Sequence, residues 1–276
     1  MKTRSITSIF IVAVTVAFFF LRELDNRLFC ILIYGMALTS SYELTKAYGE
    51  KFSIVNKWVV LSFTALVFPI AVFLVEKLIE LYVLLFFIAI TTVALLDKTK
   101  KLNDLAYTAL ALVYPTIPLL SLVLINSASN NVSLFLLVLT FGITYLTDVG
   151  AYLVGSLVKG PKLCPSISPN KTISGAVGGT VLGVIVSVAT YFIFSAFGVV
   201  LFQGAKTFSI VLFLIMSGIL FSVATQIGDL FESVLKRKLG VKDMGKFMPG
   251  HGGMLDRIDG LSFTSLIIFT VYSFLL

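Results

Sequence analysis

The residues from Ser233 to Asp259, SVLKRKLGVKDMGKFMPGHGGMLDRID, hold six of the chain's 21 Lys and Arg, three of its 14 acidic residues and its single histidine. Just upstream, Asp229 and Glu232 close an apolar run in Gln226-Ile-Gly-Asp-Leu-Phe-Glu-Ser233. Spacing of i, i+3 sets both carboxylates on one helix face, with Ser233 one turn beyond Asp229. Gly228 lets a ligand or another backbone come close. Glu232 also stands four residues before Lys236, the spacing of a plain helix-surface ion pair. Downstream, Pro249-Gly-His-Gly-Gly253 cannot continue a regular helix and makes a turn whose backbone a ligand can approach, at Gly252 and Gly253 among others. Asp256 and Asp259 repeat the i, i+3 spacing as the last apolar run opens. Asp229, Asp256 and Asp259 thus offer three carboxylates near one membrane surface. Hard oxygen ligands select Mg2+, which commonly binds one or two carboxylates plus substrate phosphates. His251 has no Cys or His companion, which argues against zinc and leaves it as a hydrogen-bond donor or an acid/base group.

Two earlier segments add to this chemistry. Asp148 lies within an apolar run, four residues before Tyr152 on the same helix face. A carboxylate in a membrane span is costly and faces a cavity or a partner; a solvated helix end is the plainer reading. The segment from Lys159 to Gly175 combines cations, hydroxyls and a helix start. Lys171 and Thr172 precede that helix, whose free N–H groups attract phosphate. Taken alone, the segment is equally an ordinary basic loop with a Ser or Thr cap.

The elements that must position these residues are membrane spans. The chain has 276 residues, 58% of them hydrophobic and 13% charged, against roughly 25% charged in a soluble domain. Apolar stretches of about 18 residues or more read as transmembrane helices, so the fold class is all-α and polytopic rather than a β-barrel. Nine spans fit, near 5–21, 28–45, 58–75, 78–96, 105–125, 132–158, 173–199, 207–235 and 258–276. The first reads as an uncleaved span, because no small-residue cleavage site follows it. Numbering the loops alternately puts 17 of the Lys and Arg on one side and 4 on the other. The cytoplasmic side carries the excess, so the N-terminus and the 236–257 segment face the cytoplasm. The net charge of +7 reads as basic loops facing anionic lipid, not as a nucleic-acid surface. Cys30 and Cys164 form neither a disulfide framework nor a metal knuckle. The first five spans carry almost no charge and read as scaffold, residues 1–130; residues 131–276 read as the catalytic region.

Ser233-x-Leu-Lys236-Arg237-x4-Lys242-Asp243-x-Gly245-x3-Pro249-x-His251-Gly-Gly-Met-x-Asp256-Arg257-x-Asp259 resembles the signature of the phosphatidate cytidylyltransferases, or CDP-diacylglycerol synthases. Asp148 to Tyr152 and Ser168-Pro-Asn-Lys-Thr172 resemble family segments in the expected order, so the likeness covers roughly the second half of the chain. Met248 stands where the family usually has Leu, Ile or Phe, and Asn170 where a Lys is common. The resemblance implies that CTP and phosphatidic acid give CDP-diacylglycerol and pyrophosphate. It also implies a need for Mg2+, with a second cation (K+ or Mg2+) close by, and a homodimer in the inner membrane. On this reading Asp229 and Asp256 hold Mg2+, and Asp259 holds the second cation or orients Asp256. Lys236, Arg237, Lys242 and Arg257 neutralise the triphosphate or the lipid head group. Ser168, Lys171 and Thr172 complete a phosphate cradle, and Asp148 orients a basic residue or reaches the metal. A transporter of a phosphorylated or anionic substrate is the main rival, since intramembrane carboxylates and Gly-rich breaks also mark transport pathways. Its usual paired repeats are not visible in the sequence. The Asp-Gly-x2-Ala-Arg opening of the CDP-alcohol phosphotransferases is missing too: Asp259-Gly260 leads into Leu-Ser.

Overall fold

A computed structural model describes residues 2–49, 57–73, 83–88, 91–92, 102–202, 204–250 and 252–275. The helices are α1 (Lys2–Leu24), α2 (Asn26–Gly49), α3 (Lys57–Phe73), α4 (Leu102–Val113), α5 (Thr116–Asn126), α6 (Asn130–Leu157), α7 (Ile173–Ala196), α8 (Thr207–Leu239) and α9 (Leu255–Leu275). Between α6 and α7 lies a hairpin of β1 (Lys162–Cys164) and β2 (Ser168–Thr172). Five stretches of helix among the described residues are long and apolar enough to cross a membrane, and Lys57–Phe73 is a shorter apolar helix. The protein is therefore a helical multi-pass membrane protein. The expected span near 78–96 lies largely outside the described residues, as does His251.

The chain divides into two units, 1–124 with 238–257 and 125–237 with 258–276. The polar segment 238–257 thus groups with the N-terminal helices, although the sequence assigns those helices to a separate scaffold.

In the first unit, α1 and α2 meet at Asp25, whose Oδ1 accepts the amide of Arg27 at 2.8 Å and so caps α2. Phe29, Ile33, Ala37 and Leu44 of α2 are fully buried. Three buried hydroxyls join α2, α3 and α5: Ser41 lies 3.0 Å from Thr64 and 3.2 Å from Thr116, and Thr64 lies 2.8 Å from Thr116. Such a cluster satisfies its own polar groups where no water reaches. The run expected as one span near 105–125 breaks at Tyr114-Pro115, because proline donates no helical hydrogen bond.

In the second unit, small residues let helices approach closely, as is common in membranes. A Cβ on Gly175 would lie 2.7 Å from the carbonyl oxygen of Ala151, and one on Gly179 would lie 2.7 Å from that of Thr147. Ser187 donates to the Leu214 carbonyl at 2.9 Å and ties α7 to α8. Thr225 and Thr264, 2.6 Å apart, tie α8 to α9. Helix α8 has 33 residues, about 50 Å at 1.5 Å per residue. It outruns the roughly 30 Å hydrocarbon core, which accounts for the charged tail from Glu232 to Lys238.

Candidate active site

The second unit holds a cavity of about 450 Å3. Its walls come from α6 (Asp148, Ala151, Tyr152, Gly155), from β2 (Asn170, Lys171, Thr172), from the start of α7 (Gly175) and from α8 (Gln226, Asp229). The i, i+4 face expected of Asp148 and Tyr152 is thus turned to a cavity. The β-hairpin carries Lys171 to Asp229, and the two form an ion pair. Both partners are partly open, with side-chain exposures of 25% and 32%, so water weakens the pair and an incoming anion or cation can compete for either member. Thr172 caps α7, its hydroxyl accepting the amide of Gly175 at 3.1 Å. The plain capping role and the cavity role coincide at this residue. Asn170, where a family lysine is common, also lines the wall.

Glu232 makes the ion pair that its spacing to Lys236 allows. It is fully buried, and its Oε1 lies 3.4 Å from the ammonium of Lys236, the i, i+4 pair. Asp259 Oδ1 accepts the amide of Gly260 at 2.8 Å, and its carboxyl group lies near Asp229, Glu232 and Lys236. A Cβ on Gly228 would fall 2.5 Å from the Asp259 carbonyl oxygen, so glycine there is what lets α8 and α9 close. Arg237 donates from Nε to the Ile167 carbonyl at 3.2 Å and braces the hairpin turn. Ser168 opens β2 and Ser233 lies in α8; both are half-buried.

The polar segment of the first unit forms a second cavity, of about 670 Å3, walled by Lys242, Asp243, Gly245, Lys246, Met248, Pro249, Gly250, Gly252 and Arg257. Lys242, Lys246 and Arg257 are exposed, so three cations surround it. Across the expected turn from Pro249 to Gly253, the Met248 amide donates to the Gly252 carbonyl at 2.8 Å. Gly252 has φ +89°, and a Cβ there would lie 2.8 Å from Asp256 Oδ2. Both facts exclude a side chain. Asp256 is buried, and its Oδ2 accepts the amides of Met244 at 2.9 Å and Gly253 at 2.8 Å. The second bond lies just ahead of the start of α9. Asp256 therefore organises this loop, a task its spacing did not reveal.

The donor set suits a hard cation. Asp229, Glu232 and Asp259 are three carboxylates among two ammonium groups, Lys171 and Lys236. Among the described residues no three Asp, Glu, His or Cys side chains converge closely enough to hold a metal by themselves. An ion here would complete its shell with water or substrate oxygens, which is how Mg2+ usually binds.

Sequence reasoning missed two residues. Gln226 donates from Nε2 to the Ala176 carbonyl at 3.2 Å and to Thr180 Oγ1 at 3.0 Å, fixing α8 against α7 at the cavity wall. Its place three residues before Asp229 is the signal that could have found it. Glu43, in the supposed scaffold, is buried, and its Oε2 accepts the amide of Leu255 at 3.0 Å. A lone acid inside an apolar span was the available signal.

Comparison with known proteins bears on this arrangement. A phosphatidate cytidylyltransferase of Staphylococcus haemolyticus is 42% identical over 136 residues, 49% of this chain and 48% of that protein. The phosphatidate cytidylyltransferase of Staphylococcus saprophyticus is 37% identical over 177 residues, 64% of this chain and 62% of its own length. That of Brucella suis is 39% identical over 133 residues, 48% of this chain and 45% of its own length. The chain thus spans about half to three fifths of the length of the curated relatives it matches. The profile of the cytidylyltransferase family matches residues 2–275, and the chain belongs to that family.

Proposed function

We propose that the protein is a phosphatidate cytidylyltransferase, transferring CMP from CTP to phosphatidic acid to give CDP-diacylglycerol and pyrophosphate. The observation that carries this is the cavity in which the hairpin delivers Lys171 to Asp229, flanked by Asp148 and Thr172. Family membership and the relatives' names support it. Phosphatidate brings its own nucleophile. A phosphate oxygen attacks the α-phosphorus of CTP, the new P–O bond forms, the bond to the bridging α,β-oxygen breaks, and pyrophosphate leaves with that electron pair. Such transfers need positioning and charge neutralisation more than covalent help. Lys171 and the Thr172 cap draw in phosphate oxygens; Lys242 and Arg257 neutralise the triphosphate or the lipid head group. Gly252 gives its backbone to the wall of the second cavity, and Gly253 shapes the same turn by making room for Glu43. His251 is retained as an acid/base or hydrogen-bonding group.

Cytidylyltransferases generally use a divalent cation; we assign Mg2+ here, with Asp229 and Asp259 as ligands. Asp256, one helical turn before Asp259, is the third proposed ligand, and a second cation (K+ or Mg2+) belongs beside Asp259. Bound Mg2+ would neutralise developing charge on the phosphate oxygens. The reading also includes a homodimer in the cell (inner) membrane with its active site facing the cytoplasm, where CTP is found.

Reconstitution tests it. Purified protein in liposomes containing phosphatidic acid should carry α-labelled CTP into the lipid phase, lose that activity in EDTA and regain it with Mg2+. Passage of intact CTP or another anion into the lumen without lipid product would instead favour the transporter.

A further inference from the structure

Glu43 is a buried acid for which the reaction has no use. It lies on α2, yet its carboxyl group meets the 245–255 segment. Its Oε2 accepts the Leu255 amide at 3.0 Å. A Cβ on Gly245 would run into Glu43 Oε1, and a Cβ on Gly253 would run into Oε2. The carboxyl group therefore fills a slot between two glycines that only residues without a side chain can form. A second bond from the N-terminal helices reaches the same loop: Thr7 donates to the Pro249 carbonyl at 3.0 Å. Desolvating a carboxyl group is costly unless it is hydrogen-bonded; here the Leu255 amide serves Oε2, while Oε1 is buried without a hydrogen-bond partner among the described residues.

We propose that Glu43 is a positioning residue that locks the 243–257 loop, and with it the wall carrying Lys242, Lys246 and Arg257, into its anion-receiving form. Glu43 touches no substrate. It acts through the Leu255 amide at the start of α9, next to the amides that Asp256 gathers from Met244 and Gly253. A loop that holds the receiving form only part of the time binds its ligand more weakly by that fraction. Loss of Glu43 therefore raises the KM for the ligand of this wall and leaves kcat at saturation nearly intact. Three cations suit a nucleoside triphosphate, so that ligand is CTP; this clause rests on the function proposed above.

The test compares wild type, Glu43→Gln, Glu43→Ala and Gly245→Ala in detergent. Hydrogen–deuterium exchange should speed up in the peptides covering 242–257 and stay unchanged in α6 to α8. The KM for CTP should rise about ten-fold in Glu43→Gln, and further in Glu43→Ala, while kcat changes less than two-fold and the KM for phosphatidic acid stays put. Gly245→Ala should raise the KM in wild type but add little to Glu43→Ala, because truncation empties the space the new methyl needs. Glu43→Gln keeps the volume and carries the test if Glu43→Ala does not fold. Wild-type exchange in 242–257, or a fall in kcat with KM unchanged, overturns the proposal. Should wild type make no product from CTP, the function fails, while the exchange measurement still decides Glu43.

Discussion

Lys171 and Asp229 are the residues on which the proposed chemistry turns, and each was visible in the sequence by a different route. Asp229 stood out as a carboxylate inside an apolar run. Lys171 stood out as a cation at a helix start. Their pairing was not legible, because it depends on a hairpin between two spans. Asp256 was legible as an acid one turn from Asp259, but its grip on two amides was not, since that depends on how the glycine turn folds back. Lys171→Ala should lower kcat/KM by about 10^2- to 10^3-fold, the usual cost of removing one charge-stabilising donor, with the protein still folded. Gly228→Ala should lower stability by about 1–3 kcal/mol through overpacking against the Asp259 carbonyl; a melting curve in detergent checks it.

Helices were the easiest elements to read and the hairpin the hardest. Eight of the nine expected runs coincide with helices, five of them long and apolar enough to cross a membrane, and the ninth lies largely outside the described residues. Long apolar runs allow little else in a bilayer. The run near 105–125 comprises two helices, and the proline that divides them was in plain view at Pro115. The strands are only three and five residues long, too short for an alternating pattern. Their content, Lys-Leu-Cys and Ser-Pro-Asn-Lys-Thr, has the composition of a loop. Thr172 joins this hairpin to α7, so its capping hydroxyl matters beyond its size. Thr172→Ala should cost about 1 kcal/mol of stability and weaken substrate binding as Lys171 loses its anchor. Thr172→Ser should restore both, read by thermal unfolding and by KM.

For the whole molecule, the uneven charge of the loops and the crowding of polar residues after residue 131 were readable without any structure. The grouping of 238–257 with the N-terminal helices was not, because tertiary contacts decide it, and the Glu43 bond to Leu255 starts from one acid in a span that otherwise looks inert. Within the first unit the N-terminal helices reach the polar loop through Thr7 and Glu43. The topology has a direct check. Cys164, half-buried in β1, should react with an impermeant maleimide only when the cytoplasmic face is exposed, and Cys30, buried in α2, from neither side. The most direct test of the account as a whole is the rate of pyrophosphate release from purified protein given CTP, phosphatidic acid and Mg2+, beside Asp229→Asn. The account predicts release that needs both substrates and falls by at least about 100-fold in the variant. Release at the wild-type rate from Asp229→Asn, or none from wild type in active lipid–detergent mixtures, would contradict it.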